Sequence, residues 1–272
     1  MDEQDSFISK YKQHSNWSDF LIRYKNTFKS YTGFLRIPRD AFDDFKSFMN
    51  LIWCVSLEKR ASKKHLQFLF VLYIVLNEIS NYNSIPLSIQ QIKELLGYSR
   101  GTDSIDYLIK DKGELDNFEM TFTKSFGVNQ NYILLQEKAK SFKTKRLHRK
   151  YKITSSSVTG NYVMLNTEVL MYMLFHAKKI KVEGIYLYCY MLTKCGNDGK
   201  GNYKQTTILT DKIIRETGIS KNSIQKYLGI LEEYGLLEIE RGGYIFNENQ
   251  FEGKEVNSYL IVTQINTNCI LN

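Results

Sequence analysis

The spacing of apolar and polar positions divides the chain into helical and extended stretches. Residues 64–79 and 185–193 are mostly apolar and predict two core helices, the second, rich in Tyr, buried on nearly every side. From Ser220 to Tyr234 the apolar positions Ile224, Tyr227, Leu228, Leu231 and Tyr234 recur at helical spacing, which predicts an amphipathic helix. Ser220 offers that helix a capping oxygen, and Gly235 a left-handed stop. A short helix is predicted just before it, capped by Thr210 or Asp211, running to about Glu216 and closed by Gly218. Strands are predicted over 236–240 and 258–262, with 241–257 as the loop between them. The Gly/Asn/Asp stretch 196–202 reads as a loop. Near the start, 17–31 predicts a helix with Phe20, Leu21, Tyr24 and Phe28 on one face.

The order of these elements repeats about 120 residues apart. Ile92-Lys-Glu-Leu-Leu-Gly97-Tyr98-Ser99 parallels Ile213-Ile-Arg-Glu-Thr-Gly218-Ile219-Ser220. Ser104-Ile105 and Tyr107-Leu108 then match Ser223-Ile224 and Tyr227-Leu228, and Gly113 matches Gly235. Upstream, Tyr82 and Leu87 match Tyr203 and Ile208, and each half opens with Thr-Gly, at Thr32 and Thr159. The first copy predicts a core helix over 64–79, a turn at Gly97, and strands near 118–123 and 131–136 with a tip at 124–130.

Two helices joined by a tight Gly-containing turn and followed by strands predict a winged helix-turn-helix. The expected fold is therefore α+β, mainly helical, with two tandem winged helix-turn-helix domains related by internal duplication. The expected boundaries are an N-terminal helical segment (1–31), a first winged-helix domain (32–137), a basic linker (138–155) and a second winged-helix domain (156–272). The second domain is expected to do most of the reading of DNA.

In such a unit the N-terminal half of the second helix lies in the major groove. The outward positions there are Lys221, Asn222, Ser223, Gln225 and Lys226. Asn and Gln make paired hydrogen bonds to adenine, and Lys reaches guanine or phosphate. Arg241 and Lys254, in the loop between the strands, are further expected contacts. The corresponding helix of the first copy carries Asp103, Asp106, Asp111, Glu114 and Asp116, which repel phosphate. The first copy is expected either to dimerise or to touch DNA more weakly, through Arg100 and Lys124.

Charge sharpens this picture. The chain has a formal net charge of +8 over 272 residues, and the excess is concentrated. Lys138, Lys140, Lys143, Lys145, Arg146, Arg149, Lys150 and Lys152 fall within 15 residues without an acid. Such a run binds phosphate by counterion release without reading sequence. Lys143, Lys145, Arg146, Arg149 and Lys150 are its expected DNA contacts.

Other chemistry is poorly supplied. Only two residues separate Gly196 from Gly199, where a phosphate loop needs four, and no Ser or Thr follows Lys200. His14, His65, His148 and His176 are scattered, so neither a metal site nor the paired histidines of a nicking enzyme is expected. Asp40, Asp43 and Asp44 read as an acidic helix start after Pro38. The four cysteines read as reduced, mostly buried thiols. The expectation is a non-enzyme with no cofactor. The apolar stretch 66–76 is too short to span a bilayer and the acidic N-terminus is unlike a secretory signal, so a cytoplasmic protein is expected, without membrane partners.

With Leu96-Gly97-Tyr98-Ser99 and Thr217-Gly218-Ile219-Ser220 as its two turns, the chain resembles plasmid and phage replication initiators built from two winged-helix domains. It is also similar to winged-helix replication and regulatory proteins of low-GC Gram-positive bacteria and their phages. The resemblance spans residues 32 to about 265 and rests on architecture and turn motifs. It implies binding of double-stranded DNA at origin repeats, readout mainly by the C-terminal domain, a homodimer in at least one state, and host replication proteins as partners. The alternative is a winged-helix transcriptional repressor or activator of a phage or mobile element. A third class, a protein-interaction adaptor, would use the same fold without DNA.

Overall fold

The computed structural model describes residues 33–45, 63–80, 85–87, 93, 95–99, 134–140, 147–153, 161–196, 203–242, 244–247, 250–254 and 256–263. In chain order the elements are β1 (Phe34–Pro38), α1 (Lys63–Ser80), β2 (Ile85–Leu87), β3 (Leu134–Lys140), β4 (Leu147–Ile153), β5 (Tyr162–Asn166), α2 (Thr167–Phe175), α3 (Ala177–Lys194), β6 (Thr206–Thr207), α4 (Thr210–Thr217), α5 (Lys221–Glu233), β7 (Leu237–Glu240), β8 (Tyr244–Asn247), β9 (Gln250–Lys254) and β10 (Ser258–Ile261). Among the described residues these five helices and four small antiparallel sheets form an α+β fold.

Helix α3 is the centre of the packing. Every residue from Gly184 to Thr193 is buried, and α1, α2, α5, β5 and β10 all pack on it. A helical stretch with no solvent face must satisfy its polar groups internally. Its three tyrosines do so with three different parts of the chain. Tyr188 donates to the Val262 carbonyl at 2.9 Å, Tyr190 to Glu216 Oε2 at 3.0 Å, and Tyr186 to the Thr217 carbonyl at 3.5 Å. Burial pushes all three phenols well above their ordinary range. Cys189 and Cys195, also buried, are free thiols.

The two halves share this core. Strand β1 pairs antiparallel with β5, Phe34 opposite Asn166 and Pro38 opposite Tyr162, so the first residue of each strand meets the last of the other. Arg39 then donates to the carbonyls of Thr193 (3.3 Å) and Cys195 (2.9 Å), satisfying the C-terminus of α3. Lys194 bridges Asp43 (2.6 Å) and Glu216 (2.9 Å), which ties the turn after β1 to α4. Asp43 is thus an ion-pair partner in the run of turns that leads into the helical residue Phe45.

Two three-stranded sheets repeat one topology. Their strand orders are β2-β4-β3 and β6-β10-β7, in each case with the last strand of the half in the middle. Strands β7 and β10 fall within a residue of the predicted pair and are in register from Ser258 opposite Glu240 to Ile261 opposite Leu237. The loop between them contains a further hairpin, β8–β9, that the sequence pattern did not predict.

Three expectations are corrected. The stretch 138–155 is not a free linker, because most of it lies in β3 and β4, paired from Leu134 opposite Ile153 to Lys140 opposite Leu147. Leu147, Tyr151 and Ile153 recur at the even spacing of a strand, beneath a charge run that reads as a solvated segment. The strand predicted at 131–136 is β3, displaced to 134–140, and among the described residues it pairs with β4; 118–123 lies outside the described residues. Neither Thr210 nor Asp211 caps α4. Leu209 occupies the cap position with no side-chain bond, and Thr210 is already helical. The N-terminal segment 1–31, Arg100, Lys124, Lys143, Lys145 and Arg146 also lie outside the described residues. Among the described residues no helix is long and apolar enough to cross a membrane.

Gly97 shows how closely the halves approach. It adopts φ +80, and a Cβ there would stand 2.2 Å from the Ala177 carbonyl oxygen at the start of α3. Replacing Gly97 with Ala adds left-handed strain and a backbone clash at once. The expected cost is about 2 kcal/mol or more, read as a lowered denaturation midpoint. An unchanged midpoint would show that the two halves are not seated on each other in this way.

Candidate nucleic-acid interface

The turn between α4 and α5 is fixed from both sides. Gly218 ends α4 in the left-handed conformation (φ 70), its N–H bonded to the Ile214 carbonyl at 2.8 Å. Thr217 is buried: its hydroxyl donates to the Ile213 carbonyl at 2.6 Å and accepts from the Ile219 N–H at 3.2 Å. Gln67, on α1 of the other half, donates to the Thr217 carbonyl at 3.3 Å. A buried residue of the first half therefore helps to hold the turn of the second.

Ser220 caps α5 as predicted, accepting from the Ser223 N–H at 3.3 Å, and its hydroxyl donates to Ser223 Oγ at 2.9 Å. Gly235 (φ 64) stops the helix. Its N–H reaches the Glu232 carbonyl at 3.0 Å, while the Leu236 N–H reaches the Leu231 carbonyl at 2.8 Å. This pair of bonds satisfies two terminal carbonyls and turns the chain into β7. Ile224, Tyr227, Leu228 and Leu231 are buried, with Gly184 of α3 against the Tyr227 ring.

The opposite face of α5 is open. Lys221, Asn222, Gln225 and Lys226 are exposed, as is Gly229, which has no neighbour within 4 Å of where its Cβ would be. Lys226 Nζ lies 5.6 Å from the ring centre of Tyr227, which limits where its chain points. Ser223 differs from the expected set. It is half-buried and its hydroxyl is engaged by the cap, so it serves the helix start before any ligand.

The basic positions outside α5 separate into three groups. Arg241 is paired twofold with Glu232, through Nη1 to Oε1 at 2.9 Å and Nη2 to Oε2, and that hydrogen bonding holds the Glu232 carboxyl below its usual range. A phosphate at Arg241 would compete with this carboxylate. Lys254 ends β9, opposite Tyr244. Arg149 and Lys150 are placed on β4, opposite Lys138 and Glu137, and Lys143, Lys145 and Arg146 fall in the six-residue connection from β3 to β4. The strongest basic run is thus mostly one hairpin and its tip.

The sequence reading did not single out Lys178, Lys179 and Lys181, which are exposed where α2 meets α3. Three lysines in four positions were the available signal, overshadowed by the longer run at 138–152.

No family model matches the chain, and no curated protein or solved structure does either.

At the far end of α5, Tyr234 packs on His176, ring centres 4.7 Å apart, and His176 also meets Tyr172 at 4.6 Å and Phe175 at 4.9 Å. Burial lowers the imidazole pKa from its ordinary value. A folded pKa below the unfolded one means that the neutral ring stabilises the fold above the unfolded pKa of about 6.5 and that this contribution is lost as the pH falls below it. Unfolding midpoints measured from pH 7.5 to 5.5 are expected to fall more steeply for the native chain than for a His176→Phe variant. Parallel curves would contradict this placement of the ring.

Proposed function

We propose that this chain has two winged helix-turn-helix units built on one core and binds double-stranded DNA sequence-specifically, with the second unit doing most of the reading. We propose further that it is a replication initiator of a plasmid or phage, binding origin repeats and engaging host replication proteins. The observation that carries the reading is the repeated sheet order β2-β4-β3 and β6-β10-β7, the second sheet flanking two helices joined by a tight turn, with β6 before them and β7 and β10 after, and with Lys221, Asn222, Gln225 and Lys226 exposed. In a winged unit the short strand pairs with the last strand and the hairpin forms the wing. On that reading β3–β4 and its tip are the wing of the first unit, and its lysines and arginines reach the phosphate backbone. The wing of the second unit is the 241–257 loop with its β8–β9 hairpin.

The mechanism is one of binding, without a catalytic step or cofactor. The exposed amides of Asn222 and Gln225 suit the paired donor and acceptor of adenine in the major groove. Lys221 and Lys226 flank them for guanine or phosphate. Lys143, Lys145, Arg146, Arg149 and Lys150 add affinity that any sequence receives.

Two levels of test apply. Replacing Asn222 or Gln225 with Ala is expected to cost about 1–3 kcal/mol on the specific site and to relax discrimination there. Replacing Lys145 and Arg146 together is expected to weaken all DNA alike and to flatten the salt dependence. Identical behaviour of the two sets would overturn the assignment. For the biological role, a plasmid carrying the gene and its upstream region should fail to replicate when the protein is truncated. Normal replication with altered promoter activity would transfer the reading to transcriptional regulation, and undetectable DNA binding at low salt to a protein adaptor.

A further inference from the structure

The junction of α2 and α3 carries a feature that neither the reading helix nor the wings account for. Lys178, Lys179 and Lys181 are all exposed. Among the described residues, no hydrogen bond or ion pair engages their side chains, in contrast to Lys194, Lys212 and Arg241. Lys181 also stands at φ 58 and ψ 173, inside what is otherwise helix, and it is the one non-glycine residue of positive φ among the described residues. That region of backbone space is open to glycine and costly for a residue with a Cβ. A glycine would relieve the strain, yet the position keeps a long cationic side chain.

Its surroundings say what the charge could serve. Glu183, two residues on, accepts from the Tyr227 hydroxyl at 3.5 Å on the inner face of α5, so the nearest acid in the segment is turned to the reading helix. On the other side, the Gly97 turn rests on the backbone of Ala177 and Lys178. Ser99, which follows that turn, begins the stretch equivalent to α5 in the first half. The three lysines therefore sit between the Gly97 turn and Tyr227, in the middle of α5. A duplex lying on α5 and extending toward the Gly97 turn would run its backbone across this junction.

We propose that Lys178, Lys179 and Lys181 form a phosphate-binding site for the DNA backbone between α5 and the Gly97 turn. The proposal rests on the DNA-binding reading above. Flexible ammonium groups on a fixed ridge hold phosphates as point charges and carry no sequence information. The strained backbone at Lys181 lifts the third lysine out of the helical path of the other two.

The test uses the full chain and measures fluorescence anisotropy at several KCl concentrations, on a duplex from the DNA flanking the gene and on a scrambled duplex of equal length. A Lys178→Gln, Lys179→Gln double variant is expected to weaken both duplexes by the same factor. It should reduce the slope of log K against log salt by about 1.8, at roughly 0.9 per lost phosphate contact. Lys181→Gly, which cannot fail for want of backbone freedom, is expected to melt higher than the native chain and to lose about 0.9 of slope. Unchanged slopes in both variants, with the native chain binding and Asn222→Ala weakening the specific duplex alone, would overturn this site and leave the DNA-binding reading standing. A native chain that binds neither duplex would overturn both.

Discussion

The burial on all sides of the Gly184–Thr193 stretch of α3 is the constraint from which the rest follows. A ten-residue stretch without a solvent face, Gly184 to Thr193, can exist only if other elements cover it completely. One half cannot supply that cover. Helix α1 and the turn after β1 come from the first half, while α2, α5, β5 and β10 come from the second. The tyrosines make the arrangement specific as well as stable. Each buried hydroxyl needs an acceptor, and the acceptors at Thr217, Glu216 and Val262 fix the α4–α5 turn and the end of β10 against the same helix.

Function is positioned by this packing. The outward face of α5 is presented at a set angle because its inward face is locked on α3 through Tyr227 and Gly184, and because its far end is held by His176 and Tyr234. Gln67 reaches the Thr217 carbonyl from the opposite half, so the turn that launches α5 is not a property of the second half alone. The β1–β5 pairing and the contact of Gly97 with the start of α3 complete the seating. The Gly97 and Gly218 turns are thus held on one core, not as two beads on a string.

Much of this was legible in the sequence where periodicity and capping agree. The helices at 63–80 and 221–233, the left-handed glycines at 218 and 235, the Ser220 cap and the β7–β10 pair were all visible from spacing. Each is specified by local chemistry. Pairings between distant segments were not visible, because a repeat in sequence reveals equivalent units but not whether they share a core. The β3–β4 hairpin was hidden by its own charge: the even spacing of Leu147, Tyr151 and Ile153 lies inside a run of lysines and arginines that reads as a linker. Lys181 gave no warning, since neither glycine nor proline marks the break in α3. Among the residues proposed to meet DNA, Lys221, Asn222, Gln225 and Lys226 are exposed as the helical period requires. Ser223 and Arg241 proved to have internal partners that no spacing argument reveals.

The central claim is that one chain, through two units fixed on one core, reads a single stretch of duplex. Hydroxyl-radical footprinting on the DNA flanking the gene, with the number of chains per site counted in the same complexes, tests it most directly. The account expects each bound chain to protect two blocks on one face of the duplex, about one helical turn (roughly 10 base pairs) apart, with the backbone between them also shielded. A single block per chain, arranged as an inverted repeat occupied by a dimer, would contradict it.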